Sequence, residues 1–180
     1  MESGSTALRS PVYSIWLLPA EPAATILSRL VAELAVTFAT PPFPPHVTVQ
    51  GGLQRPLREV SRIAAELAAG TSFERLNVTG IEISDDYFRS FYLALTSGAA
   101  FTGLTERAAA SCGTRAGLPP FPHLSLAYGP LDPARKETLR QNVAARLPAT
   151  LSFDRLAVAL AGSSVSVPSW RTLETFALTG

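Results

Sequence analysis

Two nearly identical stretches constrain this chain more than anything else in it. The first is Pro41-Pro42-Phe43-Pro44-Pro45-His46-Val47-Thr48-Val49, and the second is Pro119-Pro120-Phe121-Pro122-His123-Leu124-Ser125-Leu126. They hold the only two histidines of the protein. Each histidine follows a proline and opens the same pattern: His, aliphatic, Thr or Ser, aliphatic. In a strand, alternate residues face the same side. His46 and Thr48 therefore share one face, with Val47 and Val49 on the other. His123 and Ser125 likewise stand opposite Leu124 and Leu126. A strand patterned this way separates an apolar core from a wet cleft. The prolines fix φ and hold the residue before them extended, so each stiff lead-in presents its histidine at a defined point where the strand starts.

The rest of the chain alternates strands with helices. Tyr13 to Leu18 reads as a strand stopped by Pro19. Pro22 to Phe38 carries Ile26, Leu27, Leu30, Val31, Leu34 and Phe38 at the helical period. The first histidine strand, His46 to Val49, extends toward Leu53 past a bend at Gly51-Gly52. Leu57 to Ala69 is an amphipathic helix ended by Gly70. Phe73 to Ile83 and Phe91 to Thr96 read as strands, Ala99 to Cys112 as a helix ended by Gly113, and His123 to Tyr128 as the second histidine strand. Ala134 to Leu147 is a helix opened by Asp132-Pro133, and Leu151 to Leu160 and Leu173 to Leu178 close the chain as strands. Residues 1–10 are polar and read as loose.

This order repeats itself. Residues 13–18 correspond to 91–96, the histidine strands correspond, and Ser72-Phe73-Glu74-Arg75-Leu76 corresponds to Ser152-Phe153-Asp154-Arg155-Leu156. The period is too long for a solenoid. It indicates one domain over residues 1–180, built from pseudo-repeats of approximately 13–90 and 91–178. The expected fold class is α+β: a bilobal molecule whose two pseudo-symmetric halves carry antiparallel sheets lining a central cleft, with helices outside. A pseudo-two-fold axis would bring the polar faces of the two histidine strands into one cleft.

Composition narrows the functional classes. A net charge of +1 without a basic run argues against tight binding to long nucleic acid, so no stable nucleic-acid complex is expected. The single cysteine, Cys112, excludes an intrachain disulfide and reads as a small buried hydrophobe rather than a nucleophile. There is no signal-peptide pattern, and no apolar stretch is long enough to span a bilayer. The expectation is a cytoplasmic, monomeric protein that makes no membrane contact.

The polar faces offer acid–base chemistry. Histidine titrates near neutrality, so one ring can take a proton from water while the other gives one to a leaving oxygen. The hydroxyls of Thr48 and Ser125 can donate to the non-bridging oxygens of a phosphate. The set suits metal-free opening of a strained cyclic phosphodiester. A zinc site needs three or four ligands, and two histidines with one distant cysteine supply too few. A serine hydrolase is disfavoured because no G-x-S-x-G elbow is present. No metal and no cofactor are expected.

These paired motifs resemble the 2H phosphoesterase superfamily. With Ser14-Ile15-Trp16-Leu17-Leu18-Pro19, they are similar to the plant and fungal cyclic phosphodiesterases over nearly the whole chain. The resemblance implies a bilobal α+β fold and a metal-independent enzyme. It implies a small substrate: ADP-ribose 1″,2″-cyclic phosphate opened to the 1″-phosphate, or nucleoside 2′,3′-cyclic phosphates opened to 2′-phosphates. The family's catalytic histidines fall on His46 and His123, and its phosphate-binding hydroxyls on Thr48 and Ser125. Its cleft aromatics fall on Trp16, Phe88 and Tyr128, expected to stack on substrate. Tyr128 has the wrong parity for the face of His123 unless the strand ends or bulges first. Trp16 aligns with Ala94 in the second half; if Trp16 stacks on the sugar, His46 is the proton donor and His123 the base. Some plant relatives carry several cysteines that can pair, and any redox control built on them does not carry over to this chain. Two other readings are an RNA-end 2′,3′-cyclic phosphodiesterase of the 2′–5′ RNA ligase type and a non-catalytic nucleotide-binding module.

Overall fold

A computed structural model describes residues 10–72 and 74–180. The N-terminal stretch as far as residue 9, expected to be loose, and Phe73, expected to open a strand, lie outside the described residues. The elements are β1 (Tyr13–Pro19), α1 (Ala23–Phe38), β2 (Val47–Leu53), α2 (Leu57–Ala69), β3 (Glu74–Ile83), β4 (Phe91–Leu95), α3 (Ala99–Cys112), β5 (His123–Ala127), α4 (Pro133–Ala144), β6 (Thr150–Leu160) and β7 (Arg171–Ala177). Two short 3-10 turns, Tyr87–Arg89 and Val167–Ser169, are added to the expected set.

Local chemistry accounts for the helix ends. Asp132 caps α4 by accepting from the Arg135 amide at 2.9 Å, with Pro133 in the first turn. Gly113 ends α3 in the left-handed conformation at φ 62°. α1 turns Leu27, Leu30, Val31 and Leu34 inward, and α2 does the same with Val60, Ile63, Ala64 and Leu67. α4 stops three residues short of Leu147, and β7 begins two residues before Leu173.

All strand pairs are antiparallel, in the order β1-β2-β5-β4-β3-β6-β7, with β1 also paired to β6. The seven strands form one continuous sheet, and the two expected sheets are its two halves. One runs β2-β1-β6-β7 and the other β5-β4-β3, and they share the long β6. Its first residues, Thr150 to Phe153, pair with β3, while Phe153 to Leu160 pair with β1. At the other join, β2 and β5 meet at Val47 opposite Leu124. The third strand of each half thus pairs with the first strand of the other: β3 with β4, and β6 with β1. The first helices are exchanged in the same way. α1 packs on β5 and α3 packs on β2, so each histidine strand is backed by a helix from the other half.

One large apolar cluster fills the space between sheet and helices, from Ile15 and Leu17 through Phe91 and Leu93 to Phe153 and Val158. A second, small cluster of Trp16, Ala157, Ala159 and Ala161 lies apart from it, with Leu18 and Trp170 against it. Among the described residues no helix is long and apolar enough to cross a membrane.

Candidate active site

The site is built where β2 and β5 touch. Val47 and Leu124, both wholly buried, are the paired residues. The antiparallel register through that pair sets Thr48 opposite His123 and His46 opposite Ser125. Directly opposed residues share a face, so all four polar side chains stand on the side away from the core. They line one cleft of about 510 Å³, together with Phe88, Arg89, Asp86, Tyr128 and Trp170.

Both imidazoles are tied back in the same way. His46 Nδ1 lies 2.7 Å from the Pro44 carbonyl, and His123 Nδ1 lies 3.1 Å from the Phe121 carbonyl. A carbonyl only accepts, so each Nδ1 carries the hydrogen. Nε2 is left as the acceptor in the neutral ring and a donor in the cation. The proline lead-ins matter here because they hold the carbonyl two residues back within reach of each ring.

The surroundings of the two rings differ. His46 is buried, and the indole of Trp16 stacks on it with centroids 3.8 Å apart and planes 13° from parallel. His123 is half-buried, with Tyr92 and Phe121 edge-on at 5.6 and 5.5 Å. Burial pushes the His46 imidazole down to about 4; the Pro44 carbonyl opposes the shift and the charge of His123 adds to it. His123 is also lowered, by burial first and by Arg89, while the Phe121 carbonyl and Asp86 oppose. Both rings are therefore neutral at pH 7 in the free protein.

That state carries a prediction for stability. Between the unfolded value of 6.5 and the folded value of about 4, the unfolded chain binds more protons at His46 than the folded one. Stability is therefore full above about pH 6.5 and falls as pH drops toward 4, by about 3 kcal/mol from this group. Urea unfolding midpoints measured across that window should decline with acid, and His46→Phe, which keeps a ring on Trp16 but cannot titrate, should flatten the decline. An unchanged slope in the variant would exclude His46 as its source.

The two hydroxyls also differ. Thr48 Oγ1 makes no hydrogen bond among the described residues and is half-buried at the cleft. Ser125 Oγ donates to the Phe88 carbonyl at 2.9 Å, so it must turn from that bond to donate to a ligand.

Of the three expected stacking residues, two line the cleft and one does not. Phe88 sits on the Tyr87–Arg89 turn, its ring nearly parallel to that of Trp170 at 5.8 Å. Tyr128 falls just beyond the end of β5, which releases it from strand parity, and it packs face to face on Phe43 at 3.9 Å as a buried wall. Burial raises its phenol, opposed by the Ser125 hydroxyl. The expectation for Trp16 is corrected. Trp16 is only 1% exposed and is absent from the cleft lining, because His46 covers its face and Ala157, Ala159 and Ala161 leave a slot for the indole beneath. It is the floor under His46.

Its alignment with Ala94 is corrected as well. Leu17 lies opposite Val47 and Leu93 opposite Leu124, so Trp16, opposite Thr48, matches Tyr92, opposite Ser125. Each half thus places an aromatic ring against its own histidine.

Trp170 escaped the sequence reading. It lines the cleft 6.1 Å from His46, with its indole N–H donated to the Val165 carbonyl at 3.0 Å. The available signal was a tryptophan in a polar, proline-bearing turn just before a strand. Arg89 and Asp86 were also missed, since a charged residue in a turn ordinarily faces solvent. Cys112 is free and wholly buried, and burial raises its thiol. Among the described residues no three His, Cys, Asp or Glu side chains converge as a metal-binding group.

Comparison with known proteins places this geometry in context. The family described as cyclic phosphodiesterase-like protein matches residues 12–179. A cyclic phosphodiesterase of Arabidopsis thaliana is 25% identical over 134 residues, covering 74% of each chain. Among solved structures, TT0787 of Thermus thermophilus superposes with a TM-score of 0.62 at 18% identity, covering 94% of this chain and 98% of that one. Escherichia coli LigT complexed with phosphate superposes with a TM-score of 0.58 at 12% identity, covering 94% and 98%. These two share the fold.

Proposed function

The chain belongs to the cyclic phosphodiesterase-like proteins of the 2H phosphoesterase superfamily and is a phosphodiesterase; on that premise we propose that it opens small cyclic phosphates by two-histidine acid–base catalysis without a metal. The substrates are ADP-ribose 1″,2″-cyclic phosphate, nucleoside 2′,3′-cyclic phosphates, or both. One observation carries the reading: two imidazoles with Nδ1 tied back and two hydroxyls line the same cleft. Solved complexes of Escherichia coli LigT with phosphate and with 3′-AMP support a ligand of this size and chemistry.

In this mechanism Thr48 and Ser125 hold the non-bridging oxygens. Water attacks phosphorus as one imidazole Nε2 takes its proton, and the bond from phosphorus to the sugar oxygen breaks as the other imidazole supplies a proton to that oxygen. The free protein holds both rings neutral, so the donor's proton is taken up with the anionic substrate. The aromatic walls Trp170 and Phe88 lie on the His46 side of the cleft. A sugar packed there puts its leaving oxygen toward His46, which makes His46 the donor and His123 the base. Trp170 thereby takes the role first expected of Trp16.

The test is product analysis on both cyclic substrates, with and without EDTA. ADP-ribose 1″-phosphate and nucleoside 2′-phosphates should form at rates unaffected by the chelator. Activity lost on chelation and restored by one divalent ion would overturn the mechanism. Turnover confined to oligonucleotides ending in a 2′,3′-cyclic phosphate would indicate the RNA-end enzyme, and binding without any ring opening the non-catalytic module.

A further inference from the structure

Arg89 is the only lysine or arginine among the described residues lining the cleft, and the two-histidine mechanism leaves it unused. Its position is built rather than incidental. Asp86 Oδ2 accepts from its Nε at 3.2 Å and its Nη2 at 2.8 Å. Asp86 is itself anchored, because its Oδ1 accepts from the Phe88 amide at 3.0 Å and so caps the turn that carries Arg89. The guanidinium carbon lies 5.5 Å from the centre of the Phe121 ring. A carboxylate on one edge and an aromatic face beneath it hold the fork in place, and the remaining donors are free for a ligand.

The reacting phosphate does not need this cation. A cyclic phosphodiester has two non-bridging oxygens and one negative charge, matched by the hydroxyls of Thr48 and Ser125. We infer that Arg89 forms a second anion subsite, which selects cyclic phosphates that carry a further phosphate, such as a pyrophosphate or a phosphodiester link, over those that carry none. This rests on the proposed cyclic phosphodiesterase activity and adds the feature that ranks its substrates. Phe88 and Arg89 are neighbours on one turn and both line the cleft.

The experiment compares wild type with Arg89→Met on ADP-ribose 1″,2″-cyclic phosphate, which contains a pyrophosphate, and on uridine 2′,3′-cyclic phosphate, which has no second phosphate. For the first, kcat/KM should fall roughly ten- to hundred-fold, the loss expected for a charge-assisted hydrogen bond, and chiefly through KM. For the second, compared at each protein's own pH optimum because the Arg89 charge also acts on His123, it should change by no more than about threefold. Arg89→Lys should recover part of the loss as a point charge without the fork. Equal losses on both substrates, or none on either, would overturn the inference. If wild type opens neither substrate, the catalytic reading has failed, and calorimetry decides the subsite separately. Arg89→Met should then weaken binding of ADP and spare adenosine 2′-monophosphate; equal effects would overturn it.

Discussion

Replacing either His46 or His123 with alanine is expected to cut kcat by roughly 10²–10⁴-fold, the worth of one positioned proton transfer. The two losses should not multiply, because the rings act as a unit on one phosphate; the double variant should be close to the worse single one. The pH dependence of kcat/KM should be bell-shaped, with apparent values that belong to the pair. Because both rings are lowered in the free protein, the bell should centre below 6.5, and the profile of kcat should lie at higher pH once the bound anion favours the protonated state. The donor is identified by its leaving group. A cyclic substrate with an activated leaving oxygen needs little protonation, so it should rescue His46→Ala much better than His123→Ala. Rescue of His123→Ala alone would exchange the roles while leaving the two-histidine chemistry standing; unimpaired turnover in either alanine variant would remove that chemistry.

Trp16→Ala should be the most damaging change outside the reacting groups. The indole is buried beneath His46 in its own small cluster. Truncating a buried tryptophan costs about 3–5 kcal/mol, which for a chain of this size lowers Tm on the order of 10 °C. It also removes the surface that seats His46, so kcat should fall even below the new Tm. Trp16→Phe keeps an aromatic floor and should recover most of both. Trp170→Ala provides the contrast. Trp170 is a half-buried wall of the cleft, so its loss should raise KM with a smaller change in Tm. Calorimetric melting and steady-state kinetics on the three variants separate floor from wall. If Trp16→Ala raised KM alone with an unchanged Tm, Trp16 would be a substrate contact after all.

These residues also mark how far a one-dimensional reading reaches. The alternation His-Val-Thr-Val and His-Leu-Ser-Leu determined by itself which side chains face the core and which face the cleft, because the period of two in a strand is a local property. The internal repeat likewise carried the α+β class. The pairing of strands was decided elsewhere. Shifts of register within β1 at Ile15 and within β4 after Phe91 set Trp16 against Thr48 and Tyr92 against Ser125, and such irregularities leave no periodic trace in a sequence. The lead-ins show the same limit. The first has one more proline between its phenylalanine and histidine, and Phe43 is buried beside Tyr128 while Phe121 stands 37% exposed beneath Arg89. Trp170 and Arg89 come to the histidines from turns distant in the chain. What a turn residue touches depends on how β6 and β7 close one sheet and β3 and β4 the other, contacts that form only when both halves pack together.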